Sequence, residues 1–134
     1  MTACYLDASA LVKLATREAE SGALRNYLQR FPSRITSRLA EVEVTRALAR
    51  RGSESQAVGA ETIAQTLEGL LIVELDAQVA DIAGRVEPSA VRSLDAIHLA
   101  SALSVSEELD ALVTYDRRLA DAARAAGLTV DAPA

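Results

Sequence analysis

Short apolar runs alternate with longer amphipathic segments from one end of the chain to the other, and few folds accept that pattern. Residues 3–7, 34–36, 70–75, 112–115 and 128–130 read as strands, because each is brief and rich in apolar or β-branched side chains. Residues 9–16, 20–30, 38–50, 54–68, 77–85, 93–105 and 117–126 carry helical spacing. Phe31-Pro32 stops the second helix, since the residue before a proline avoids the helical region. Ser37 is placed to cap the third, and Gly52 and Gly69 to end the third and fourth. Strands that alternate with helices predict an α/β fold: a mostly parallel central sheet covered on both faces. In such sheets ligands bind beyond the carboxyl ends of the strands, near a topological switch point.

A length of 134 residues predicts one domain over 1–134. Half of the residues are hydrophobic but only 3% are aromatic, so the core must be built from Leu, Val, Ile and Ala. With no tryptophan and one phenylalanine, the chain lacks the aromatic platforms on which single-stranded nucleic acids stack. A formal net charge of -5 argues against broad, non-specific coating of nucleic acid, which needs many cations. It is compatible with a local basic rim around an acidic site. Lys13 is the only lysine; the other cations are arginines, suited to bidentate contacts with phosphate or carboxylate. Cys4 is the only cysteine, expected as an inert buried thiol. No secretory pattern opens the sequence, and no apolar stretch nears the roughly 18 residues that span a bilayer. A soluble, cytoplasmic protein is expected.

Four acids stand out. Asp7 ends the first apolar run and is followed by Ser9, so it reads either as the cap of the next helix or as a functional carboxylate at the sheet edge. Asp116 follows the strand at 112–115 in the same way, with Thr114 two residues before it. On the third helix Glu43 shares a face with Leu39, Ala40, Arg46 and Ala47, whereas Glu41 shares one with Arg38 and Leu48 and makes an ordinary exposed pair with Arg38. Glu43 is the better inward candidate; its alternative is a pairing with Arg46. Asp95 sits in a helix so apolar that burial all round is predicted, and a buried carboxylate needs a partner. Ser93 is available to cap that helix, which frees Asp95. Several carboxylates gathered together repel one another unless a cation neutralises them. Oxygen-only ligands suit magnesium or manganese, and no Cys/His cluster suits zinc. Such ions activate water and stabilise phosphoryl charge, which points to metal-assisted phosphodiester hydrolysis. His98, the only histidine, reads as a packed, hydrogen-bonded side chain, with a general base as the alternative.

Tyr5-Leu6-Asp7-Ala8-Ser9-Ala10-Leu11-Val12-Lys13-Leu14, Ser37-Arg38-Leu39 leading to Glu43, Arg92-Ser93-Leu94-Asp95-Ala96-Ile97-His98-Leu99-Ala100 and Thr114-Tyr115-Asp116-Arg117-Arg118-Leu119 together resemble the PIN-domain family, with VapC-type toxin ribonucleases of toxin–antitoxin systems as the nearest match. The resemblance covers essentially the whole chain, in order. It implies a PIN-like α/β/α sandwich and a Mg2+- or Mn2+-dependent endoribonuclease that hydrolyses RNA phosphodiester bonds with a metal-activated water. Carried over by position, the metal ligands would be Asp7, Asp95, Glu43 and Asp116, with Ser9 and Thr114 as supporting polar groups. Arg92, Arg117 and Arg118 are candidates for steering RNA. The resemblance also implies a separate VapB-type antitoxin as partner, and a homodimer.

Two other classes compete. A phosphoaspartate protein also places an acid after its first strand, but a receiver needs adjacent acids there, and the haloacid-dehalogenase-like phosphatases need a second acid where this chain has Ser9. A non-catalytic binding module could keep the PIN fold; the intact acids argue against it.

Overall fold

The structure is a computed structural model that describes residues 3–50 and 62–134. Five strands form one sheet: β1 (Ala3–Leu6), β2 (Ser33–Ser37), β3 (Leu71–Val73), β4 (Leu109–Val113) and β5 (Val130–Asp131). Their order is β3-β2-β1-β4-β5, and every neighbouring pair is parallel. Among the described residues, helices with both ends defined flank it: α1 (Ala8–Ala15), α2 (Ser21–Leu28), α3 (Arg38–Ala49), α4 (Ala77–Gly84), α5 (Ser93–Ser104) and α6 (Arg117–Ala125). Of the helix expected at 54–68, residues 62–67 are helical; the earlier part and Gly52 lie outside the described residues. Gly69 ends that segment at φ 79°, in the left-handed region that a residue with a Cβ rarely enters.

Alternation along the central strands builds two cores, one on each face of the sheet. Cys4 and Leu6 of β1 and Ala111 and Val113 of β4 pack with Leu11, Leu24, Val44 and Leu48 of α1, α2 and α3. Ala3 and Tyr5 of β1 and Leu112 of β4 pack the other way, with Leu99 of α5 and Leu119 and Ala123 of α6. The result is the α/β/α sandwich, with β1 and β4 buried on both faces as interior parallel strands must be. Burial pushes the Cys4 thiol up to about 12, so it is inert, as expected.

Element boundaries moved where side chains found other work. The strand expected at 112–115 is β4, which begins at Leu109 after a 3-10 turn and stops before Thr114. Its register skips a residue between Leu109 and Ala111, a bulge at Asp110, whose carboxylate accepts the Ala3 N–H at 3.0 Å. The run at 70–75 yields only β3, because Glu74 turns out to a bidentate pair with Arg38 at 3.0 and 2.6 Å. Arg38 also holds Glu41 at 2.9 Å, the exposed pair foreseen. Among the described residues, no helix is long and apolar enough to cross a membrane.

Candidate metal centre

The strand order turns back between β1 and β4: the chain runs outward through β2 and β3, then returns to β1's other side. The segments leaving β1 and β4 therefore face one crevice at the carboxyl edge of the sheet. Asp7 leaves β1 and caps α1; Asp116 follows β4 and caps α6, accepting the Arg118 N–H at 2.9 Å. The cap reading of both aspartates holds.

Asp7 is held on three sides. Its Oδ1 accepts from the Ser9 hydroxyl at 2.7 Å and the Ala10 N–H at 3.0 Å. Its Oδ2 accepts from the Thr114 hydroxyl at 2.6 Å. Thr114 Oγ1 in turn accepts the Asp116 N–H at 3.0 Å, and Ser9 Oγ accepts the Tyr115 N–H at 2.9 Å. Two hydroxyls thus tie the end of β1 to the end of β4. Asp7 is only 4% exposed, and burial pushes its carboxyl above the usual range. The hydrogen bonds from Thr114, Ser9 and Ala10 and the attraction of His98 oppose that push without cancelling it. Thr114→Val is expected to cost about 1–3 kcal/mol in urea unfolding, because the buried Asp7 carboxylate and the Asp116 N–H each lose a partner. Unchanged stability would show that water replaces the hydroxyl.

Asp95 stands in the first turn of α5. That helix is not buried all round: Leu94 is 51% exposed, Asp95 half-buried, and its unbroken buried stretch runs from His98 to Ala102. Nor does Ser93 cap it; the cap is Arg92, without a side-chain bond. Burial raises the Asp95 carboxyl, and repulsion from Asp116, then Asp7 and Glu43, raises it further, while His98 opposes. Asp95 is therefore within reach of the charge of the other three predicted acids.

Glu43 borders the buried stripe of α3, which is Ala40, Val44 and Leu48. The sequence placed Leu48 on the other face; the true stripe follows an i, i+4, i+8 row. Glu43 pairs with His98 rather than with Arg46: His98 Nε2 lies 2.5 Å from Glu43 Oε1. The other ring nitrogen, Nδ1, lies 2.7 Å from the Tyr5 hydroxyl. His98 is thus the packed histidine expected, with both nitrogens engaged and 3% exposure, and it is not placed to act as a general base. Tyr5 is a residue the sequence reading missed. Its signal was the strand alternation that puts Tyr5 and Asp7 on the same side of the chain, two residues apart.

Among the described residues, no three His, Cys, Asp or Glu side chains converge on one ion-binding point. Three of the four predicted acids are held instead by their own neighbours: Asp7 by the two hydroxyls, Glu43 by His98, Asp116 by the first turn of α6. The donor set nonetheless suits a hard divalent cation, being oxygen-only and carrying two carboxylates whose ionisation is disfavoured. Beside Asp95, Arg92 and Arg118 line a cavity of about 480 Å³ with an apolar floor of Val91 and Ala122. Arg117 lines a neighbouring one with Thr114 and Asp116.

The family model for the PIN domain matches residues 4–125. The chain belongs to the PIN-domain family. Its PIN relatives include Ribonuclease VapC46 of Mycobacterium tuberculosis, 46% identical over 133 residues with 99% of each chain covered. Ribonuclease VapC47 of the same organism is 40% identical over 133 residues, with 96% of each chain covered. The PIN fold is also close to VapBC2 from Rickettsia felis, solved bound to a DNA fragment from their promoter; the TM-score is 0.76 at 14% identity, covering 99% of this chain and 100% of that one. The PIN-like sandwich and the VapC kinship expected from the sequence are both present, and the phosphoaspartate reading finds no support.

Proposed function

We propose that this chain is a VapC-type toxin endoribonuclease that hydrolyses RNA phosphodiester bonds with the help of a divalent cation. The observation that carries the reading is the edge between β1 and β4, where Ser9 and Thr114 clamp the Asp7 carboxylate and tie it to Asp116, with Asp95 within reach of the charge of Asp116, Asp7 and Glu43. Kinship with the VapC ribonucleases supports it. Residues 1–134 act as one PIN unit in this reading.

Asp7, Asp95, Glu43 and Asp116 would hold the ion, Mg2+ or Mn2+. When bound it supplies charge neutralisation for the phosphate and a water acidic enough to attack at neutral pH. Asp7 is the fixed member of the set, already oriented by three hydrogen bonds. Asp95 is half-buried and Asp116 exposed, which leaves both carboxylates room to turn toward the ion. Ser9 and Thr114 orient Asp7, and Thr114 also couples Asp116 to it. Arg92 and Arg118 flank Asp95 and are positioned to grip RNA phosphates, with Arg117 beside Asp116. The overall charge is negative, so this local basic rim rather than the whole surface must attract the substrate. The partner is a separate VapB-type antitoxin polypeptide, the toxin acts as a homodimer, and its place is the cytoplasm.

The test is cleavage of a labelled RNA by the purified protein, with Mg2+ or Mn2+ and without. Cleavage should need the ion, stop with EDTA and be lost in Asp95→Asn. Cleavage that persists in EDTA, or in Asp95→Asn, would overturn the reading.

A further inference from the structure

A chain of hydrogen-bonded side chains runs from the sheet to Glu43. It begins at Tyr5, in the middle of β1 and wholly buried. The Tyr5 hydroxyl meets His98 Nδ1 at 2.7 Å, and the two rings pack edge to face, with centroids 5.8 Å apart and planes at 77°. His98 Nε2 then meets Glu43 Oε1 at 2.5 Å. Three elements, β1, α5 and α3, are joined through one imidazole.

The proton positions follow from the partners. An ionised carboxylate only accepts, so the hydrogen between His98 and Glu43 belongs to Nε2. With Nε2 donating, Nδ1 accepts the Tyr5 hydrogen in the neutral ring, and in the charged ring that attracts Asp7 and Asp95 it donates to the Tyr5 oxygen instead. Burial holds the Tyr5 phenol far above its usual ionisation range, so its hydroxyl keeps that hydrogen to give. With Oε1 of Glu43 engaged, the carboxylate is held in one orientation and Oε2 is the oxygen left for another partner.

We propose that His98, anchored by Tyr5, is the positioning residue that aims Glu43 at the divalent ion, so that one imidazole N–H sets how tightly the chain binds its metal. The proposal rests on the reading of Glu43 as a metal ligand. A long glutamate side chain on the rim of α3, 25% exposed, would otherwise sample several rotamers and be ordered only by the ion itself. Hydrogen-bond partners behind metal ligands commonly change metal affinity by about 10- to 100-fold when removed.

The experiment is a titration of the metal-free full chain with Mn2+, followed by calorimetry and by the Mn2+ electron paramagnetic resonance signal. His98→Asn, which keeps a polar group near Nδ1 but cannot reach Glu43, should weaken Mn2+ binding by about tenfold or more. His98→Gln, whose amide reaches toward the Nε2 position and can donate to Glu43, should recover most of that loss. The double variant His98→Asn with Glu43→Gln should bind no more weakly than Glu43→Gln alone, because both changes remove the same ligand. Tyr5→Phe keeps the packing and removes only the hydroxyl; several-fold weaker binding is expected, and it decides the matter should His98→Asn fail to fold. Parent-like affinity in His98→Asn or Tyr5→Phe, with Glu43→Gln weakened, overturns the role of His98 and leaves the metal reading standing. Parent-like affinity in Glu43→Gln overturns Glu43 as a ligand, and the proposal with it.

Discussion

Asp7→Asn is expected to abolish RNA cleavage while the fold survives. The metal reading asks the crevice for several kcal/mol of charge stabilisation on the phosphate, and its loss corresponds to a fall of roughly 10³-fold or more in rate. Asp7 is the member whose removal should matter most, because it is the acid the protein holds with the most hydrogen bonds. Asparagine has nearly the same shape. Its carbonyl can still accept from Ser9 and the Ala10 N–H, so the cap of α1 is retained. Its amide would face the Thr114 hydroxyl, which can turn to accept, at the cost of about one hydrogen bond, or ~1 kcal/mol. Removing a charge from a 4% exposed site offsets that cost. Single-turnover cleavage beside a thermal melt separates the two effects. Full activity in a folded Asp7→Asn protein would remove Asp7 from the chemistry and leave it as a helix cap.

The metal-free protein should lose stability as pH rises through the range where Asp7 and Asp95 ionise, and a divalent ion should restore it. Both carboxyls are held above their ordinary value of 3.8 in the folded chain, by burial first and, at Asp95, by Asp116 next. Between 3.8 and the raised folded value, the folded chain keeps protons that the unfolded chain has released. Stability therefore falls as pH rises through that window, and the loss is complete once both states are ionised. Glu20 and Glu74 are shifted the other way by Lys13 and Arg38, but both reach solvent, which screens them, so they count for little. Thermal midpoints in EDTA across the acid-to-neutral range should show a downward slope that shrinks in Asp7→Asn. At a metal concentration about 100 times its dissociation constant, Mg2+ or Mn2+ should add ~2.7 kcal/mol to the parent at neutral pH. Asp7→Asn should gain less. A midpoint indifferent to both ion and substitution would sink the picture of a strained acidic crevice.

Much of the fold was legible because interior parallel strands and their covering helices differ in the period of their apolar residues. The run ending at Asp7, the amphipathic helices and the breaks at Pro32 and Gly69 all declare themselves locally. Boundaries were less legible wherever a side chain left the pattern for a partner far along the chain. Glu74 shortens β3 to reach Arg38, and Thr114 leaves β4 to reach Asp7. The acidic residues were visible as oddities: a carboxylate at a strand end, another near the start of an apolar helix. Burial of Asp95 was overestimated because the first turn of α5 is exposed while the rest lies on the sheet.

Residue type and spacing were enough to single out Asp7, Glu43, Asp95 and Asp116 as candidates and to expect a parallel sheet between two helical layers. Local pattern carries that information because helix and strand periods are properties of a few neighbouring residues. The company each acid keeps was decided only by tertiary packing. Ser9 and Thr114 are 105 residues apart yet close on the same carboxylate. Tyr5 and His98 are 93 apart, and His98 and Glu43 55. Hydrogen bonds of a few ångströms between such distant residues follow from which strands become neighbours, and no local period encodes that choice. Asp7 reads as a cap or a sheet-edge carboxylate by its sequence; the return of β4 to the side of β1 is what brings Thr114 onto its second oxygen.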